Sequence, residues 1–173
     1  EISRVEWLIT DGSNKKKQDK KAELIKKYFN KESQKYLFAN HINISKKGVY
    51  GIYHCMNYGK NIAKGKFIIY LNSGDTFFNN YSLSLLLNNS FDVNPQNSLI
   101  FGQANIIGTK KINWFFPGKK LKNIEKWLIF FEPNHQSMMI SKELAKSYDF
   151  PLKYNSIADG YWKREMVNKA VDI

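Results

Sequence analysis

The chain has 173 residues, which at about 150 residues per domain makes one domain, 1–173, with room for a sizeable core. Hydrophobic residues make up 43% and aromatics 15%, which excludes a disordered chain, and a single cysteine, Cys55, with His 3 excludes a disulfide framework or a cysteine-rich zinc site. Lys+Arg 27 against Asp+Glu 15 gives a net charge of +12, so attraction to phosphate is expected in one of three forms: nucleic acid, anionic lipid or a phosphorylated substrate.

Val5 to Thr10 is a short apolar run stopped by Asp11-Gly12-Ser13-Asn14, the pattern of a buried strand and its turn. Asp19 to Asn30 sets Ala22, Ile25 and Phe29 on one helical face among lysines, predicting an amphipathic helix. Tyr36 to Ala39 reads as the next strand. Gly51 to Lys64 carries Ile52, Cys55, Met56, Gly59, Ile62 and Ala63 at helical intervals, with Gly65 placed for a left-handed C-terminal residue. The strand Phe67 to Leu71 follows and ends at the polar turn Asn72-Ser73-Gly74-Asp75.

Further along, Ser82 to Asn88 reads as a helix capped by Ser82. Ser98 to Gly108 reads as a strand bent at Gly102, with Ile112 to Phe116 pairing back on it. Ile124 to Phe131 fits either helix or strand. Ser137 to Ile140 is a short strand, Ser141 caps a helix over Lys142 to Ser147, and Ala158 to Val171 is helical. Strands alternating with helices imply an α/β domain with a mostly parallel sheet, whose ligands bind beyond the carboxyl ends of the strands. Asp11 and Asp75 both stand at such ends.

GIYHCMNYGKNIAKGKFIIYLNSGD, Gly51 to Asp75, resembles the signature of family 2 glycosyltransferases: G-I-Y-D-A-M-N-x-G, a helix, an apolar strand, then L-N-S-G-D. EWLITDGS, Glu6 to Ser13, is similar to that family's second strand and turn. Asn134-His135-Gln136 with Ser141 to Leu144, and Ile157 to Tyr161, resemble two later segments in family order. The resemblance implies a GT-A-like three-layer α/β fold with a mostly parallel sheet, truncated at its N-terminus because the family's first strand and helix have no counterpart. Val5 to Thr10 and Phe67 to Leu71 are then expected to flank a central slot. They should either pair directly in a contracted sheet or receive a strand from residues outside this chain.

By the same resemblance, the chain moves a sugar from a nucleotide-sugar donor to a glycan or lipid-linked acceptor with inversion. A divalent cation, Mn²⁺ or Mg²⁺, held by Asp75 assists by neutralising the diphosphate leaving group. Asp159 corresponds to the catalytic base, and Asp11, Asn57, Asn72, Asp75, His135 and Gln136 to donor-binding positions. Four of these have a plainer alternative: helix capping for Asp75, turn formation for Asp11, solvent exposure for Asn57, a satisfied loop histidine for His135. Arg164 reaches phosphate or lies on the surface.

Where the family has D-K-G before I-Y-D, this chain has Val49-Tyr50-Gly51 and then His54, and Gln103 follows Gly102 where an Asp is common. Those losses keep a second reading open, a catalytically inactive or binding-only remnant. A nucleic-acid-binding module ranks last, because the aromatics lie mostly in apolar runs. The apolar runs fall short of the ~20 residues that span a bilayer and the residues from Glu1 onward do not read as a signal peptide, so the expected location is cytoplasmic, peripheral on the inner face of an anionic membrane.

Overall fold

The computed structural model describes residues 5–11, 23–24, 27, 37–43, 51–108, 113–118, 121–154 and 157–173. Strands β1 (Val5–Asp11) and β2 (Leu37–Asn43) pair in parallel, with Val5 opposite Leu37 and Asp11 opposite Asn43. The helix expected over Asp19 to Asn30 lies outside the described residues except for Glu23, Leu24 and Lys27, which are helical.

Helix α1 (Ile52–Ile62) presents Met56, Asn57 and Lys60 to the interior, Lys60 standing about one turn beyond the other two on the same face. Its outer end lies on β1: a side chain at Gly59 would touch Thr10 Cγ2 at 3.5 Å, and the Lys64 amide donates to Glu6 Oε2 at 2.7 Å. Gly65 is not the left-handed C-terminal residue expected, since the helix closes at Ala63 with an extended backbone. The positive φ of 96° belongs to Gly51, at the other end.

After α1 come β3 (Phe67–Ile69), α2 (Ser82–Asn89), β4 (Leu99–Phe101), β5 (Ala104–Ile107) and β6 (Asn113–Phe116). They are followed by α3 (Ile124–Phe130), a 3₁₀ turn at His135–Ser137, β7 (Met138–Ser141), α4 (Lys142–Lys146) and α5 (Ala158–Lys169). The ambiguous segment at Ile124 is thus helical, with Asn123 Oδ1 accepting from the Lys126 amide as its cap. Ser82 is not the cap of α2; its hydroxyl donates to Asn79 Oδ1 outside the helix, and Tyr81 takes the capping position. Ser141 does precede α4, but its Oγ accepts from the Ser98 amide and not from the helix.

The second sheet has the order β3-β7-β4, with β7 antiparallel to both neighbours. The expected mostly parallel sheet is corrected here: β3 and β4 point the same way, but β7 is inserted between them in reverse, and β5 and β6 form a separate antiparallel pair. Direct pairing of β1 with β3 is also overturned. They belong to different sheets, and among the described residues neither takes a strand on its second edge.

The core forms where α1, α5 and the second sheet meet. Phe150 and Trp162, both fully buried, stack at 4.3 Å between ring centroids, and Tyr70 meets each edge-on at 5.4 Å. Edge-to-face and offset pairs of this kind add about 0.5–1.5 kcal/mol beyond the area they bury. Lys60, 1% exposed, has its ammonium 2.8 Å from the Ala145 carbonyl, 2.5 Å from the Tyr148 carbonyl and 2.8 Å from Asp149 Oδ1. Burial lowers its pKa, and Asp149 opposes the change. The buried cation thereby satisfies carbonyls at the end of α4, a position that favours positive charge.

Candidate functional site

Asn72-Ser73-Gly74-Asp75 closes β3 as a turn, the Asp75 amide donating to the Asn72 carbonyl at 3.0 Å. Gly74 has φ 101° at its third position, the backbone that a type II turn requires there and that side-chain-bearing residues avoid. This holds Asn72 and Asp75 on one side of the strand end. Opposite them the chain enters the 3₁₀ turn through Asn134, whose Oδ1 accepts from the Gln136 amide at 3.1 Å and whose carbonyl accepts from the Ser137 amide at 2.9 Å. His135 and Gln136 are fixed side by side as a result.

The two turns bond to each other. Gln136 Nε2 donates to Asp75 Oδ2 at 3.1 Å, and Asn72 Nδ2 lies 3.2 Å from His135 Nε2. A third segment arrives from the start of α5, where Asp159 Oδ2 is 3.3 Å from His135 Nδ1 and 3.4 Å from Lys163 Nζ one turn along the helix. The Tyr53 hydroxyl of α1 donates to Asp159 Oδ1 at 3.2 Å.

The electrostatics follow from these partners. The hydrogen bond from His135, with help from Lys163 and the Tyr53 hydroxyl, holds the Asp159 carboxyl far below the usual carboxylate range against the opposing effect of burial. A place in the first turn of α5 favours the same anion. Burial and the neighbouring Asp159 charge push the Tyr53 hydroxyl up, so it stays a donor.

The structure therefore brings together Asn72, Asp75, His135, Gln136 and Asp159. Asn57 and Asp11 stand outside this bonded cluster. Asn57 is buried, not solvent-facing, and its amide is committed to the backbone of Phe150: Nδ2 donates to the carbonyl at 3.0 Å and Oδ1 accepts from the amide at 2.8 Å. Both polar ends of the side chain thus serve packing. Asp11 is buried at the end of β1, level with Asn43. Arg164 is engaged too, with its guanidinium on Glu132 and the Leu128 carbonyl.

Tyr53 and Lys163 join the site without having been singled out in the sequence. Lys163 carried a usable signal, the four-residue spacing from Asp159 that puts opposite charges on one helix face. Tyr53 stands inside the G-I-Y match, but its contact with Asp159, across a separation of 106 residues, left no trace in local pattern.

Among the described residues no group of three His, Cys, Asp or Glu is arranged to hold a metal ion. The exposed Asp75 carboxylate has Gln136 on one oxygen, and a single carboxylate of this kind does not make a resident cation cage. No family model, curated protein or solved structure matches the chain. No helix among the described residues is long and apolar enough to cross a membrane.

Proposed function

We propose that the chain is a glycosyltransferase domain with a GT-A-like fold, moving a sugar from a nucleotide-sugar donor to a glycan or lipid-linked acceptor with inversion. The observation that carries this reading is the meeting of three segments far apart in sequence. Asn72 and Asp75, His135 and Gln136, and Asp159 form one hydrogen-bonded cluster, and these are the positions that the sequence resemblance marks for such chemistry.

In this reading the donor diphosphate lies toward Asp75 and Gln136, and the acceptor hydroxyl toward His135 and Asp159. A Mg²⁺ or Mn²⁺ ion bound at Asp75 supplies neutralisation of the leaving diphosphate. The Gln136 side chain orients the Asp75 carboxylate, and Asn72 orients the imidazole. The acceptor hydroxyl attacks the anomeric carbon from the face opposite the diphosphate, and its proton passes to the His135–Asp159 pair. The excess of positive charge fits peripheral attachment at the inner, anionic face of the cytoplasmic membrane, where lipid-linked acceptors lie.

Incubating the purified chain with a panel of nucleotide sugars and Mn²⁺, then assaying release of the nucleoside diphosphate, tests the reading. Turnover with at least one donor supports it. Saturable binding of a nucleotide sugar with no turnover in the presence of acceptor glycans identifies a binding-only remnant instead.

A further inference from the structure

The arrangement around His135 assigns the proton-accepting atom more narrowly than the sequence does. Both oxygens of Asp159 are engaged: Oδ1 accepts from the Tyr53 hydroxyl, and Oδ2 faces His135 Nδ1 at 3.3 Å and Lys163 Nζ at 3.4 Å. A carboxylate met by three donors is a poor destination for a fourth proton. An ionised carboxylate only accepts, so in the neutral imidazole Nδ1 carries the hydrogen and Nε2 carries the lone pair. The partner of Nε2 agrees with this, since the Asn72 amide at 3.2 Å presents a nitrogen that donates.

We infer that His135 Nε2, and not Asp159, is the general base for the acceptor hydroxyl, with Asp159 as the positioning residue that fixes the ring and its tautomer. The inference rests on the glycosyl-transfer reading. The acceptor hydroxyl takes the place of the Asn72 amide at Nε2. As its oxygen bonds to the anomeric carbon, the bond from that carbon to the diphosphate breaks and its electron pair leaves with the diphosphate. The hydroxyl proton moves to Nε2. The resulting imidazolium is stabilised by the anionic Asp159, and it returns to neutral by losing the proton to solvent. The charged and titratable groups around the ring come from every element at the site: Asp159 and Lys163 from α5, Tyr53 from α1, and Asp75, through Gln136, from the turn after β3. His135 is itself 8% exposed.

The test uses the whole chain and whichever nucleotide sugar it turns over. His135→Gln should lower kcat by about 10²–10⁴-fold with KM little changed, and should remove the acid limb of the pH–rate profile. His135→Ala leaves a space the size of the lost ring, so added imidazole should restore part of the rate; a purely structural histidine gives no such rescue. Asp159→Asn should lower kcat yet keep an acid limb. Nitrogen-15 NMR of the wild-type chain should find the ring protonated on Nδ1. Circular dichroism confirms that each variant is folded before its rate is compared. A flat pH profile in Asp159→Asn with a normal one in His135→Gln would return the role to Asp159 and overturn the inference, as would an Nε2-protonated ring. Absence of turnover by the wild-type chain with every donor overturns the glycosyl-transfer reading, whereas turnover indifferent to His135→Gln overturns only this one.

Discussion

Asn57 grips the backbone of Phe150 at both of its polar atoms, donating to the carbonyl at 3.0 Å and accepting from the amide at 2.8 Å across 93 residues of sequence. This clasp seats the Phe150 ring against Trp162 and ties α1 to the segment leading into α5. Asn57→Ala leaves a buried N–H and a buried C=O without partners, each at a cost of about 1–3 kcal/mol. The expected outcome is a lower urea midpoint with an unchanged slope, and donor affinity that stays at the wild-type level under conditions where the variant is folded.

Acid should expose the contribution of Asp159. Its folded-state pKa is depressed below the ordinary 3.8, chiefly by the hydrogen bond from His135. Below 3.8 the unfolded chain takes up the proton first, so the stability due to this group is complete above that pH and is lost as the pH falls toward the folded-state value. Urea unfolding between pH 5 and about 2 should show wild-type stability declining more steeply than that of Asp159→Asn.

Gly74 is predicted to be the most sensitive backbone position of the site. A side chain there meets no atom within 4 Å, so Gly74→Ala creates no clash, but it forces alanine to φ 101°. Such conformations cost of order 1–3 kcal/mol. The strain falls on the turn that aims Asp75, and the variant should lose donor affinity by more than its loss of thermal stability explains. Calorimetric titration of the folded variant measures this.

Asp75→Ala should abolish Mn²⁺-dependent binding of a nucleoside diphosphate while leaving the fold intact, because Asp75 is exposed and its side-chain bond is to Gln136 at the surface. Unchanged affinity in titration calorimetry removes Asp75 from the metal role.

Much of the element order was legible because it rests on local pattern. The break at Gly102 does separate β4 from β5, and β6 pairs back on β5 with Asn105 opposite Phe115. Helix ends were less legible. Ser141 has the right chemistry for a cap, yet its hydroxyl is drawn to Ser98, 43 residues away, by the approach of β4 to β7. Strand direction was the largest miss: an apolar run such as Met138 to Ile140 reads the same in either orientation, and only the chain path places β7 in reverse between β3 and β4. At the site, the positions named by resemblance are turn and helix-end residues whose local motifs aim them. The burial of Asn57 was not legible, because a buried side chain that satisfies a distant backbone has the same sequence signature as one facing solvent.

Among the described residues β1 and β3 each pair along one edge alone, and this bears on how the protein behaves in a tube. An edge with no neighbouring strand is a template for another chain, and on the edge where β3 meets no strand among the described residues it offers Phe67, Ile68 and Ile69 with no charge among them to discourage docking. Self-association should therefore rise with protein concentration and persist at high salt, since backbone pairing and apolar contact are not screened as ion pairs are. The same edges should stand out in hydrogen exchange: β7, flanked on both sides, should hold its amide protons far longer than β3 does. Supplying a short synthetic peptide of alternating valine and threonine that slows exchange in β3, and lowers the dimer fraction in sedimentation, would tie both behaviours to the same unfilled edge.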